Sequence, residues 1–255
     1  TNHQHQAYIE PHASTAVWAA DGRVTIWTCT QGAFAIRSST AAIMGIPESS
    51  VKVIPTEIGG GFGGKFITIE PVTAALALKT RRPVKLVLSR DEDMISMRSR
   101  HAATIRMKTG AREDGTLVAR DTEIIYNGGA YSDFSPVVLE ASMLLAAGPY
   151  RIAHVRNVGR AVYTNRLRAG AMRGFGVMQP IFAGESQLDE IAVALGIEPL
   201  ELRIKNAKQS GDKNMGSHHL PVCRVGDCLA RINEHPTFAT ARADKGTPGK
   251  RRGVG

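Results

Sequence analysis

Residues 59–65 read Gly-Gly-Gly-Phe-Gly-Gly-Lys, and a strand-like run over 51–58 leads directly into them. Glycine at this density serves a backbone that turns sharply or runs against a group that leaves no room for a Cβ. Any fold for this chain must supply something for that segment to approach. Two nucleotide-binding readings meet the spacing in part. Gly59, Gly64 and Lys65 match a phosphate-binding G-x-x-x-x-G-K loop, but Phe66 stands where a magnesium-holding hydroxyl is required. Gly59, Gly61 and Gly64 also match G-x-G-x-x-G at 59–64, with Asp91, Glu92 and Asp93 just beyond the next strand. That alternative, an NAD(P)-dependent dehydrogenase, requires further β-α-β units downstream.

The downstream pattern supplies something else. The runs over 14–20 and 23–29 flank Asp21-Gly22, a hairpin signal. Residues 33–44 read as a helix closed by Gly45 and Pro47, and 71–80 as a second helix before a strand over 83–89. Residues 101–131 then alternate on both sides of Glu113-Asp114-Gly115, which predicts a long antiparallel hairpin. A helix over 136–147, a strand over 157–165 and a second glycine-bearing loop, Arg-Gly-Phe-Gly at 173–176, follow. An amphipathic helix over 181–195 and a short helix opened by Pro199 complete the ordered part. The expected fold class is α+β, with layered mixed sheets, antiparallel hairpins and packed helices. Residues 1–238 read as one domain, and 239–255 as a polar linker.

Composition narrows the function classes. Hydrophobic residues make up 43%, enough for a sizeable core, while the net charge is +9. The basic residues are scattered along the chain, and no zinc-finger, RNP or homeodomain pattern accompanies them. A basic nucleic-acid-binding module is therefore an alternative supported by charge alone. Cys29, Cys223 and Cys228 are too few for a disulfide framework, and no apolar run has membrane-spanning length. The expectation is a cytoplasmic protein without a membrane or nucleic-acid partner. His218, His219, Cys223 and Cys228 could together hold zinc, but their spacing fits no common site. The chain opens without Met and closes on Lys-Arg-Arg-Gly-Val-Gly, which reads as a piece of a longer polypeptide.

Five stretches in order carry a resemblance: TQGAFAIR at 30–37, GGGFGGK at 59–65, RPVKLVLSRDEDM at 82–94, NGGAY at 127–131 and AMRGFGVMQP at 171–180. Together the chain resembles the xanthine dehydrogenase and aldehyde oxidase family, in the first half of the molybdenum-cofactor-binding region of the large subunit. The resemblance implies a molybdenum hydroxylase that uses water as its oxygen donor and binds the metal through a molybdopterin. It implies that Gln31, Gly60, Gly61, Phe62, Gly63, Arg173 and Gly174 surround the cofactor, with amides of the first loop facing it. Phe175 would form a substrate wall. Phe66 and Ala141 stand where purine-oxidising members carry a glutamate and an arginine, so an aldehyde or an N-heteroaromatic or aromatic substrate is expected. The family's general-base glutamate lies in the second half of the region, so no catalytic residue and no protein metal ligand is nominated here, and this chain alone is expected to be inactive. The implied cofactor is molybdopterin, in the cytosine dinucleotide form common in bacterial relatives. The implied partners are the second half of the molybdenum-binding subunit and subunits carrying iron–sulfur clusters and FAD.

Overall fold

The computed structural model of the chain describes residues 1–216, 218–244 and 246–250. Packing divides the chain into two compact units: Thr1–Thr104, Ile125–Leu139 and Arg160–Gly176 form the first, and Ile105–Ile124, Glu140–Gly159 and Val177–Gly255 the second.

The first unit is built on a mixed four-stranded sheet. Strands β1 (Ala13–Trp18) and β2 (Val24–Thr28) pair antiparallel across the Asp21-Gly22 turn, β3 (Val51–Pro55) joins β2 in parallel, and β4 (Val84–Val87) joins β1 antiparallel. Helix α1 (Ala33–Met44) is the crossover from β2 to β3, and α2 (Glu70–Thr80) packs on β1 and beside α1. The sequence stops α1 as expected: Gly45 adopts a left-handed φ of 66° and its N–H returns to the carbonyls of the last turn. Ala16, Val24, Ile26, Ala41, Val51, Ala74 and Ala77 form the core between sheet and helices. Alanine on both helices lets their backbones come close to the sheet, and the Trp18 Nε1–H donates to the Ala74 carbonyl at 2.8 Å. Glu70, buried at the start of α2, accepts from the Thr28 hydroxyl at 2.9 Å and so ties β2 to the helix N-terminus, where a carboxylate is favoured.

The expected long hairpin is present as β5 (Ala102–Ala111) and β6 (Leu117–Gly129), and β7 (His154–Tyr163) completes a three-stranded sheet in the order β5-β6-β7. Its turn is closed by Arg112 N–H to Thr116 O at 2.9 Å, with Gly115 at φ 83° and the Asp114 carboxylate accepting from the Thr116 N–H. Helix α4 runs over Ser135–Leu145. In the second unit, α5 (Met178–Leu195) and α6 (Pro199–Asn206) close a core of Leu117, Tyr150, Leu188, Ala192 and Leu202. Asn206, buried among them, is satisfied on every side: its carbonyl oxygen accepts from Leu117 N–H, and its amide donates to the Gly115 and Leu202 carbonyls.

Several elements differ from the sequence expectation. A short helix, α3 (Arg90–Ser96), follows β4; its start is a reciprocal capping box between Ser89 and Glu92, a signal present in Ser-Arg-Asp-Glu. Helix α5 begins at Met178, three residues ahead of the expected 181. Beyond Gly211 two further helices form, α7 (Val225–Glu234) and α8 (Pro236–Ala243), so the stretch read as a linker opens in helix; its last residues, 251–255, lie outside the described residues. The dinucleotide alternative fails on topology. The sheet holds a single parallel pair, and α2 begins only at Glu70, so the glycines do not form a helix N-terminus. Among the described residues no helix is long and apolar enough to cross a membrane.

Ala74 has no exposed surface and faces Ala16 and Ile26 across a tight helix–sheet contact. Ala74→Leu should destabilise by about 1–3 kcal/mol through overpacking. Urea unfolding followed by far-UV circular dichroism should show a lower midpoint with an unchanged slope.

Candidate functional site

The two glycine loops meet within the first unit. A Cβ built on Gly63 would lie 2.8 Å from the backbone carbonyl carbon and oxygen of Ala171 and 3.0 Å from the Met172 nitrogen, so only hydrogen fits. The Arg173 N–H donates to the Phe62 carbonyl at 2.9 Å, and the Arg173 carbonyl accepts from the Arg100 guanidinium at 2.6 Å. A further clamp comes from Gln6, whose amide donates to the Ala171 carbonyl at 2.8 Å. The two loops also share a local conformation. Phe62 (φ 50°) lies between Gly60 (φ 92°) and Gly63 (φ 96°), and Phe175 (φ 48°) between Gly174 (φ 89°) and Gly176 (φ 90°). A phenylalanine held in the left-handed region is strained, and such strain gathers at sites the surrounding structure over-determines.

Gln31 joins this junction from the start of α1. Its N–H donates to the Lys65 carbonyl at 2.7 Å, and its side-chain oxygen accepts from the Gly63 N–H at 3.0 Å and the Lys65 N–H at 3.2 Å. Gly61 is glycine for the same reason: a Cβ there would stand 2.5 Å from that oxygen. The Gln31 amide nitrogen and the N–H groups of Gly60, Gly61 and Phe62 have no partner among the described residues. Consecutive unpaired main-chain N–H groups form a concavity suited to an electron-rich guest. This refines the expectation from the sequence. The amides of Gly63 and Arg173 are consumed inside the chain, in holding Gln31 and in joining the loops, and do not face outward.

Three phenylalanines cluster beside the loops. The Phe134 ring lies 5.4 Å from Phe66 and 6.4 Å from Phe175, in tilted and edge-on arrangements that suit aromatic quadrupoles. Phe134 escaped the sequence reading. The signal for it was weak: Tyr131 and Asp133 before it adopt φ 68° and 40°, and nothing in the residue types announces that bend. Ala141, expected in the same pocket, belongs to the second unit, on α4, and is half-buried.

Beneath the first loop lies a buried polar network. Lys65 has no exposed surface; its ammonium pairs with Glu10, whose carboxylate also accepts from the Gly59 N–H, and stands 5.0 Å from the Tyr8 ring centroid. Burial pushes the Glu10 carboxyl up, but the hydrogen bonds from Lys65 and Gly59 outweigh it and hold it below the usual carboxylate range. Asp93 on α3 accepts from the Tyr8 hydroxyl at 2.6 Å and from the His12 N–H and Nδ1 at 2.8 and 2.9 Å. Burial disfavours its charge, yet the bonds from Tyr8 and His12 prevail and lower its pKa. Asp93 is therefore a structural anchor beneath Tyr8, the residue against which Gly60 and Gly64 pack. The second loop is held by the Tyr126 hydroxyl, which donates to the Gly176 carbonyl at 2.6 Å, and His101 stacks on Tyr126 at 5.1 Å with its Nε2 2.8 Å from the Ser135 hydroxyl.

The zinc alternative finds no geometry. Among the described residues no group of three or more His, Cys, Asp or Glu side chains could hold a metal; His219 bonds the Gly211 carbonyl and Cys223 the Lys208 carbonyl.

Gly63→Ala should lower the melting temperature far more than Gly22→Ala. Both add strain at positive φ, on the order of 1–3 kcal/mol, but Gly22 faces open space whereas Gly63 faces the Ala171 backbone. Equal shifts in differential scanning fluorimetry would contradict the loop contact. Acid should also weaken the support of the second loop. Burial lowers the His101 pKa from 6.5 to about 4, so the unfolded chain binds more protons than the folded one across that window. The stability contributed by neutral His101 is complete above pH 6.5 and is lost as the pH drops toward 4. His101→Gln should flatten that part of the profile in denaturant titrations run at both ends of the window.

The family described as a molybdopterin cofactor-binding domain matches residues 1–207. The chain is 40% identical over 235 residues to a probable xanthine dehydrogenase subunit of Bacillus subtilis, covering 91% of this chain and 32% of that protein. It is 38% identical over 207 residues to the nicotinate dehydrogenase large molybdopterin subunit of Eubacterium barkeri, covering 81% and 49%. Among solved structures, the aldehyde oxidoreductase of Desulfovibrio gigas superposes with a TM-score of 0.91 at 29% identity, over 96% of this chain and 27% of that one. The chain thus spans about a third of the first of these relatives and about half of the second. With paired glycine loops, a tethered glutamine and a match over residues 1–207, the chain belongs to the molybdopterin cofactor-binding domain family.

Proposed function

We propose that this chain is the first part of the cofactor cradle in a molybdenum hydroxylase that oxidises an aldehyde or an N-heteroaromatic or aromatic substrate with water as oxygen donor. The observation that carries it is the junction of the two Gly-Phe-Gly loops, which sets open amides and the free amide nitrogen of Gln31 beside three phenylalanine rings. Those groups fit a pterin in kind: its ring and dithiolene offer acceptors for N–H donors, and the loops present flat, unobstructed backbone. When bound, the molybdenum–pterin group supplies two-electron redox chemistry and oxygen transfer.

The chain's own residues prepare the substrate for it. Phe175, with Phe66 beside the intervening Phe134, supplies an apolar wall that orients a flat ring or carbonyl and excludes water. Gln31, fixed through its oxygen, keeps its NH2 as a donor toward the cofactor. Arg173 and Gly63 hold the loops in register through their backbones. By sequence position, Phe66 and Ala141 stand where purine-oxidising relatives would carry polar groups, and Phe66 adds an apolar ring to the cluster in their stead. The relatives are named for nicotinate, xanthine and aldehyde oxidation, and the phenylalanine cluster favours the first and last of these substrate classes.

The rest of the machine lies outside this chain in this reading. The second half of the cofactor-binding region, reached through 239–255, would bring the general base. Iron–sulfur and FAD subunits would carry electrons away, since three scattered cysteines ligate no cluster. The pterin would carry a cytosine nucleotide, and the assembly would be cytoplasmic.

The complete purified protein should contain molybdenum and a pterin whose oxidation product fluoresces, and turnover of an aromatic aldehyde in H2(18)O should place one labelled oxygen in the acid product. A pterin-free protein, or unlabelled product, would sink the proposal. Phe66→Glu should cut kcat/KM for that aldehyde by about tenfold or more, because it sets a charge among apolar rings.

A further inference from the structure

Arg98 is a charged side chain with almost no exposure, and no role for it follows from the loops alone. It stands where three segments converge. Its Nη2 donates to the Ile67 carbonyl at 3.1 Å, one residue beyond Phe66. Its Nε lies 3.2 Å from the carboxylate of Asp133, one residue before Phe134, and its guanidinium carbon sits 5.1 Å from the Phe134 ring centroid. Its Cδ fills the space where a Cβ on Gly170 would stand, at 3.0 Å, just ahead of the loop that carries Phe175. One planar cation thus touches the backbone or ring of all three segments that bear the aromatic cluster. The pairing also bears on backbone strain, since Asp133 holds a left-handed φ of 40°. Arg168 approaches the same carboxylate at 3.6 Å but is a third exposed, so Arg98 is the buried partner.

We infer that Arg98 is a positioning residue for substrate selection: by fixing Ile67, Asp133 and the Phe134 face together, it holds the phenylalanine rings as one wall and makes the site select flat aromatic molecules over small aliphatic ones. The inference rests on the proposed hydroxylase reading. A guanidinium can do this because it is planar and permanently charged: one N–H bonds the Ile67 carbonyl, the charge faces the Asp133 carboxylate and the flat face lies over Phe134, a combination an ammonium cannot offer. Arg98 itself touches neither substrate nor cofactor in this scheme.

Two variants of the complete enzyme test it. Arg98→Lys keeps the charge and loses the fork. Arg98→Met/Asp133→Asn removes both charges, so that no buried carboxylate is left unpaired and folding is preserved. Calorimetry with isoquinoline, a flat neutral probe, reads the wall without turnover, and kcat and KM for benzaldehyde and acetaldehyde read selection. Both variants should weaken isoquinoline binding and raise the benzaldehyde KM by about tenfold, with acetaldehyde constants within about twofold of the parent. Aromatic and aliphatic constants that move together, isoquinoline affinity unchanged in the variants, or a parent enzyme that does not bind isoquinoline would each overturn the inference. Isoquinoline binding that weakens as expected in an enzyme oxidising neither aldehyde would uphold the positioning role and remove the proposed reaction.

Discussion

The structure of the first unit depends on one steric fact: two stretches of main chain, far apart in sequence, touch with no side chain between them. Gly63 lies against the carbonyl of Ala171 so closely that a single methyl group would force them apart, and the Arg173 N–H to Phe62 carbonyl bond locks the contact. Everything else at the site is arranged around that contact. Gln31 reaches it because Gly61 leaves room, and the aromatic rings gather because Phe66 and Phe175 leave the two loops side by side.

A contact of this kind cannot support itself. Glycine loses more conformational freedom on ordering than any other residue, and a left-handed phenylalanine adds strain. The compensation is a set of buried hydrogen bonds and ion pairs that hold each loop. Lys65 with Glu10, and Asp93 with Tyr8 and His12, underpin the first loop; Gln6 and Tyr126 hold the second through single, well-aligned bonds to carbonyls. In a low-dielectric interior such bonds are strong when complete and costly when broken, which makes the loop junction rigid. Rigidity is what a site needs if it is to present main-chain donors to a guest in fixed geometry.

Much of the architecture was legible in local pattern. The Asp21-Gly22 turn, the Gly45 stop of α1 and the hairpin at Glu113-Asp114-Gly115 each rest on residues whose backbone preference is decided within a few positions. Helix α3 was equally readable, through Ser89 and Glu92. Helix α7 carried a readable stripe, with Val225, Cys228, Leu229 and Ile232 at i, i+3, i+4 and i+7, which the polar residues around it masked; α8 is only eight residues long and shows no such periodicity.

The sequence by itself determined that two Gly-Phe-Gly segments existed, that Gln31 stood just ahead of a helix and that Phe66 followed the first loop's lysine. These are matters of residue identity and short-range conformation. Only the tertiary structure decided which glycines serve the protein and which amides stay open: Gly61 and Gly63 are small because Gln31 and Ala171 stand against them. It alone brought Phe134 between Phe66 and Phe175 and set Arg98 behind it. The reason is that long-range contact depends on where whole elements pack, and burial and van der Waals exclusion between distant segments leave no trace in the spacing of either one.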